Sequence, residues 1–204
     1  MSDGAARLAA RYPRVWHVIE ADGAGAWLME TGLLPAADLY QLAGLKADGA
    51  NRTAFQRVDL GSGRIAILRP QLMADRSLTT TLSGSFAGRP DAWRRYIDAH
   101  VFFWPEPRRR DGFVRACARL RARGSIGSDA APPRVLAIDT AALLRRHDAS
   151  TFFSRINTGS VLRGGARVRR DDTTFVSVAN YQSGPVAELA IKAPVMLRGI
   201  LVSC

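Results

Sequence analysis

The apolar residues of this chain fall into short runs rich in β-branched and aromatic side chains, and that pattern limits what the chain can fold into. Arg14-Val-Trp-His-Val-Ile-Glu20, Arg64-Ile-Ala-Ile-Leu68, His100-Val-Phe-Phe-Trp104, Arg134-Val-Leu-Ala-Ile-Asp139, Thr151-Phe-Phe153, Thr173 to Val178 and Val186 to Ile191 all have strand length and strand composition. None approaches the ~18 apolar residues of a membrane span. Helical spacing separates them. Asp22 is a plausible N-cap for a short helix running to Glu30 and ended by Gly32. Leu39, Leu42 and Leu45 mark a second helix from about Ala36 to Leu45. Further helices are predicted over Asp91–Ala99, Glu106–Arg123 and Thr140–His147, the last capped by Asp139 or Thr140. In the Glu106–Arg123 helix, Phe113, Cys117 and Leu120 share one face, while Arg115, Arg119 and Arg123 line another. Val195 to Val202 reads as a closing strand. Residues 46–63, 124–133 and 154–172 read as loops, and 70–90 shows no clear pattern. Many short strands, with helices mostly in the first two-thirds, predict an α+β fold rather than a regular βαβ array. A chain of 204 residues is long enough for one domain with a proper core, so a single domain over 1–204 is expected.

The charge is distinctive. The chain carries 29 Lys and Arg against 18 Asp and Glu, a formal net charge of +11. Residues 105–170 hold 15 arginines against five acids, which accounts for almost all of it. A basic field this concentrated favours a polyanionic partner such as nucleic acid, or an anionic ligand. The competing reading is a solvated, arginine-rich surface that reflects genome composition. Two distant cysteines, Cys117 and Cys204, form neither a disulfide framework nor a zinc site. The three histidines have no metal-ligand spacing, so no metal is expected. The N-terminus lacks a charged segment followed by an apolar one, which leads to the expectation of a cytoplasmic protein. No Gly-x-Gly-x-x-Gly follows a strand and no Walker pattern is present, so the usual dinucleotide and NTP folds are not supported.

Glu188 is the sharpest local anomaly. It is a single carboxylate in Val186-Ala-Glu-Leu-Ala-Ile191, an otherwise apolar strand. Alternation puts Val186, Glu188 and Ala190 on one face and Ala187, Leu189 and Ile191 on the other. Glu188 therefore sits either on a solvent-facing side or in a cleft, and strand pattern alone favours the solvent-facing position. His17, alone on the first strand, reads more readily as a hydrogen-bonded, half-buried strand histidine than as a ligand-binding one. The aromatic run Phe102-Phe-Trp104 reads more readily as core than as a stacking platform.

The order of these elements carries further information. A strand with His17, a helix and Gly32-Leu-Leu-Pro35 come first. The aromatic strand Val101-Phe-Phe-Trp-Pro105, then Ile156-Asn-Thr-Gly159 opening a long loop, then Val186-Ala-Glu-Leu189 follow. This order resembles the ADP-ribosyltransferase-like fold, a split β-sheet with flanking helices, and within it the DarT-type DNA ADP-ribosyltransferases and a bacterial family of unknown function of the DUF7002 type. The blocks Leu68-Arg-Pro-Gln71, Val101–Pro105, Ile156–Gly159 and Val186–Leu189 look more like the latter. The resemblance implies an NAD-dependent transferase with Glu188 and Arg52 as catalytic residues. It implies that His17 contacts the nicotinamide-side ribose, that Gly32 and Leu33 flank the adenosine side, that Phe103 and Trp104 lie near the nicotinamide, and that Asn157 lines the pocket. Arg69 is the rival to Arg52 as the pyrophosphate ligand. Arg163, Arg167, Arg169 and Arg170 would hold a nucleic-acid acceptor by its backbone, and a toxin or phage-defence role with an antitoxin partner would fit. The alternatives are a non-enzymatic nucleic-acid-binding module on the same fold, an NAD glycohydrolase, or an RNA 2′-phosphotransferase-like enzyme.

Overall fold

A computed structural model describes residues 1–20, 26–71, 73–122, 132–159, 161 and 168–202. The helix α1 (Asp3–Arg11) opens the chain, a helix the sequence reading did not anticipate. Ser2 caps it, its hydroxyl accepting from the amide of Ala5 at 3.3 Å. Ala5, Leu8 and Ala9 face the core. Burying Leu8 completely is worth about 1.5–3 kcal/mol. The remaining elements are β1 (Arg14–Ile19), α2 (Trp27–Thr31), α3 (Ala36–Leu42), β2 (Gln56–Asp59), β3 (Ile65–Leu68), α4 (Asp75–Thr79), α5 (Pro90–Asp98), β4 (Val101–Phe103), α6 (Pro107–Leu120), β5 (Arg134–Asp139), α7 (Thr140–His147), β6 (Thr151–Ser154), β7 (Val176–Ser177) and β8 (Glu188–Ile191).

The result is a mixed α+β architecture with small antiparallel sheets. The order β4-β8-β6-β7 makes a four-stranded sheet, and β1 pairs with β5. Trp16 and Trp104 exchange backbone hydrogen bonds of 3.0 and 2.8 Å, which tether β1 to the end of β4. β8 lies between β4 and β6, with Phe103 opposite Leu189 and Ser154 opposite Glu188. Every residue of β8 is buried. Leu189 and Ile191 enter the main core with Leu8, Val15, Phe103 and Ile138, and Ala190 enters a second cluster around Trp93 and Phe175. A strand covered on both faces explains the near-continuous apolar run.

Several expectations needed correction. Residues 46–63 are not all loop: β2 lies inside them and pairs with β3. The turn at Gly61-Ser62-Gly63 has positive φ throughout, which two glycines make inexpensive. This hairpin and α3 enclose a small core of Leu39, Val58, Leu60, Ala66 and Leu68. The tail is not a closing strand. Val195 bridges Leu33, Leu201 bridges Ile138, and Gly199 turns the chain between them at φ 74°. Its apolar residues Val195, Leu197 and Ile200 are core without being sheet. Asp139 caps α7 through its carboxylate, 2.6 Å from the amide of Ala142. The expected cap at Asp22 lies outside the described residues. No helix among the described residues is long and apolar enough to cross a membrane.

Candidate functional site

A cavity of about 550 Å³ sits where the main sheet, the β2–β3 hairpin and α6 meet. That is within the range of small-molecule sites. One wall is the sheet: His17 from β1, Phe102 and Trp104 at β4, and Glu188 at the start of β8. A second wall carries Trp27, Leu28, Gly32, Leu33, Arg52, Arg69, Gln71 and Asp98. The third is α6. Arg109, Gly112, Phe113, Ala116, Cys117 and Leu120 recur at helical spacing and all border the cavity. The face predicted to be apolar is so, but it closes a cavity rather than a packed core, and only Cys117 on α6 is buried. Phe113 stacks on Trp104, ring centroids 4.2 Å apart. The Arg110 guanidinium lies 4.8 Å over the Trp16 ring and Arg69 lies 5.0 Å over Phe113, and together these contacts hold α6 in place.

Glu188 is 5% exposed, so the solvent-facing alternative does not hold. Its Oε2 accepts from the Thr158 amide at 3.0 Å and the Thr158 hydroxyl at 2.7 Å. Oε1 has no hydrogen-bond partner among the described residues. Burial pushes the carboxyl above its ordinary pKa, while Thr158, Arg109 and Arg170 oppose that shift. A carboxyl raised in this way, at the edge of a cavity, is suited to exchanging a proton or a hydrogen bond with a ligand.

His17 is half-buried, with Nδ1 2.7 Å from the carbonyl oxygen of Phe102. Only an N–H can pair with a carbonyl, so the neutral ring keeps its proton on Nδ1 and offers Nε2 as an acceptor. Burial lowers its pKa to about 4, and nearby Arg69 lowers it further against the Phe102 bond. The sign of the pH dependence follows. The folded state binds this proton less well than the unfolded chain, whose His titrates near 6.5, so the stabilisation is complete above pH 6.5 and is lost as pH falls toward 4. Glu188 has the opposite sign, because its raised pKa makes the folded state take up a proton first on acidification. Urea midpoints measured between pH 7 and 4 should therefore fall less steeply in His17→Gln than in the parent protein. Parallel slopes would remove His17 from the acid response.

Gly32 and Leu33 border the cavity, for a backbone reason. Gly32 has φ 78°, and a Cβ there would lie 2.4 Å from the carbonyl oxygen of Val195. Leu33 and Val195 exchange backbone hydrogen bonds of 2.9 and 2.8 Å next to it. Gly32→Ala should cost about 1–3 kcal/mol of stability, and a thermal melt would show it as a lowered midpoint. An unchanged midpoint would mean that the Leu33–Val195 pairing is not needed.

The arginines require correction. Arg52 is buried and its fork is taken: NH1 and NH2 donate to Asp98 at 2.7 and 2.8 Å, Nε to the carbonyl of Arg69 at 3.1 Å, and NH1 also to Tyr40 at 3.4 Å. It braces the cavity wall and does not offer a free fork to a pyrophosphate. Arg69 is similarly engaged, with Nε 2.6 Å from Glu20 and NH2 2.5 Å from the carbonyl of Val18, and Arg121 pairs with the other oxygen of Glu20. Arg109 is different. It borders the cavity, its side chain is 39% exposed, and its one ion pair among the described residues is a 3.3 Å contact with Glu106. Its charge reaches Glu188.

Two further expectations change. Phe103 is fully buried in the main core, because β4 alternates and presents Phe102 and Trp104 to the cavity instead. Arg170 is also fully buried. It donates to the carbonyls of Val168 at 2.8 Å and Asn157 at 3.2 Å, so it cannot lie against a nucleic-acid backbone. Arg169 is exposed. Arg163 and Arg167 lie outside the described residues. Asn157 borders the cavity.

Sequence reasoning missed Thr158, Asp98, Phe113 and Arg109. Thr158 is adjacent to Asn157, which was singled out, but only the Ser154–Glu188 register brings it to the carboxylate. Arg109 was hidden in a run of three arginines. No curated protein and no solved structure matches the chain. A family of unknown function, DUF7002, matches residues 13–195, from the residue before β1 to the first residue of the tail, and the chain belongs to that family.

Proposed function

We propose that the cavity binds NAD and that Glu188 acts on its nicotinamide ribose, making the protein an ADP-ribosyltransferase of the split-sheet class that modifies nucleic acid. The observation that carries this reading is the convergence of Glu188, His17, Trp104 and Asn157 on one cavity, from four segments distant in the chain. Glu188 Oε1 is the oxygen left for a ribose hydroxyl or an attacking acceptor. The bond between the anomeric carbon and the nicotinamide nitrogen breaks, nicotinamide leaves with the bonding pair, and the acceptor bonds to that carbon. The transition state is cationic at the sugar, and a carboxylate beside it lowers its energy. Glu188 then takes the proton that the acceptor loses. His17 Nε2 accepts from a ribose hydroxyl. The stacked rings of Trp104 and Phe113 supply a flat apolar surface for the nicotinamide. Arg109, with its accessible fork, replaces Arg52 and Arg69 as the pyrophosphate ligand.

The nucleic-acid acceptor rests on charge. Arg108, Arg115 and Arg119 are exposed on the outer side of α6, the helix whose inner side closes the cavity. In this position they would hold a phosphate backbone near the site. The test is incubation with labelled NAD and single-stranded DNA, RNA or cell extract. Label on nucleic acid is the expected result. The absence of both label transfer and nicotinamide release would count against any transferase reading. Nicotinamide release with no acceptor would indicate a glycohydrolase. Salt-dependent nucleic-acid binding without turnover would indicate a binding module.

A further inference from the structure

Thr158 holds Glu188 by two hydrogen bonds to the same oxygen, and nothing else among the described residues donates to that carboxylate. We infer that Thr158 is the positioning residue of the site, fixing which oxygen of Glu188 reaches the ligand. This inference rests on the proposed role of Glu188 and deepens it. The geometry gives the reason. With Oε2 pinned from the backbone and the hydroxyl together, rotation about the last side-chain torsion is blocked, and Oε1 is the oxygen that remains for the cavity. A carboxylate free to rotate would present either oxygen and lose the orientation on which proton transfer depends.

The support for Thr158 extends one layer further. Residues 155–159 leave β6 and must return a hydroxyl and an amide to β8. Arg170 makes this possible. Its guanidinium is fully buried and donates to the carbonyl of Asn157, next to Thr158. The backbone of Arg170 is fixed in turn, its amide donating to Thr81 at 2.8 Å and its carbonyl accepting from Ser83 at 3.0 Å. The path from the chain near Thr81 to the Glu188 carboxylate is therefore continuous. Asn157 and Thr158 both border the cavity, so the segment that aims the carboxylate also touches the ligand space. The two Thr158 bonds favour the ionised form and partly offset the effect of burial on Glu188.

The experiment compares Thr158→Val and Thr158→Ser with the parent protein by two readouts. One is the pH titration of the Glu188 side chain in the free protein, followed by carbon-13 NMR of labelled glutamate and assigned with Glu188→Gln. The other is the pH profile of nicotinamide release from NAD. Valine keeps the shape but removes the hydroxyl, so the Glu188 titration should move to higher pH. The acidic limb of the profile should move the same way, and kcat should fall about tenfold or more, the loss expected for one hydrogen bond to a charged group. Serine should restore both. A Glu188 titration unchanged in Thr158→Val overturns the inference, as does reduced activity with an unmoved acidic limb. A shifted titration in a protein that never consumes NAD keeps Thr158 as the residue that sets Glu188, and removes the transferase reading alone.

Discussion

Glu188→Gln is expected to lower nicotinamide release from NAD by about 10²–10⁴-fold while leaving the fold intact. Glutamine has the same shape and keeps a carbonyl oxygen that the Thr158 amide and hydroxyl can still bond. It removes a buried ionisable group, so stability should hold or rise slightly. Loss of activity with an unchanged circular dichroism spectrum and melting midpoint would separate a chemical role from a structural one. The parent rate should need the ionised form and decline on the acid side as Glu188 takes up its proton, whose pKa burial has raised. A variant that keeps the parent rate takes Glu188 out of the mechanism.

The second large effect is on stability and concerns Arg52, expected from the sequence to act in the chemistry, together with its carboxylate partner Asp98. Asp98→Ala leaves the Arg52 guanidinium buried without its carboxylate. Arg52 and Asp98 are 8% and 4% exposed, and Gln71 adds a 2.7 Å bond to the same carboxylate. Breaking one side of such a pair costs about 3–5 kcal/mol, because the remaining charge has lost both water and partner. Urea denaturation should show this as a lower midpoint at an unchanged slope. Replacing both partners by apolar residues of similar size, Arg52→Met with Asp98→Leu, should recover most of the loss. If Asp98→Ala unfolds within about 1 kcal/mol of the parent, the pair is not what holds this wall.

The parts of the fold that local chemistry determines were legible. β5 and α7 coincide with the predicted spans because a β-branched run and an aspartate cap set their ends. The apolar run around Glu188 reads as a strand at any burial. What the run could not reveal was its depth. A strand covered on both faces, with Leu189 and Ile191 in one core and Ala190 in another, looks the same in sequence as one with a wet face whose outer residues happen to be apolar. The site was legible where one residue type is rare in its surroundings, as with Glu188, His17 and Gly32. It was not legible where several equivalents compete. Arg52, Arg69 and Arg109 are alike in sequence, and only Asp98 and Glu20, distant in the chain, decide which guanidinium stays available. Phe102 and Phe103 likewise differ only in the phase of a three-residue strand.

One helix carries an energetic consequence. Of the 14 residues of α6, only Cys117 is buried, and the side chains that would ordinarily pack onto a core instead face an open volume. A compound that fills that volume would cover Phe113, Ala116 and Leu120 and add apolar contact to a helix face that, among the described residues, is only partly covered. Occupancy and helix stability are then a single thermodynamic quantity, since whatever binds the folded form alone raises the melting temperature in proportion to the logarithm of its concentration. A ligand of the cavity would in this sense complete the packing of α6.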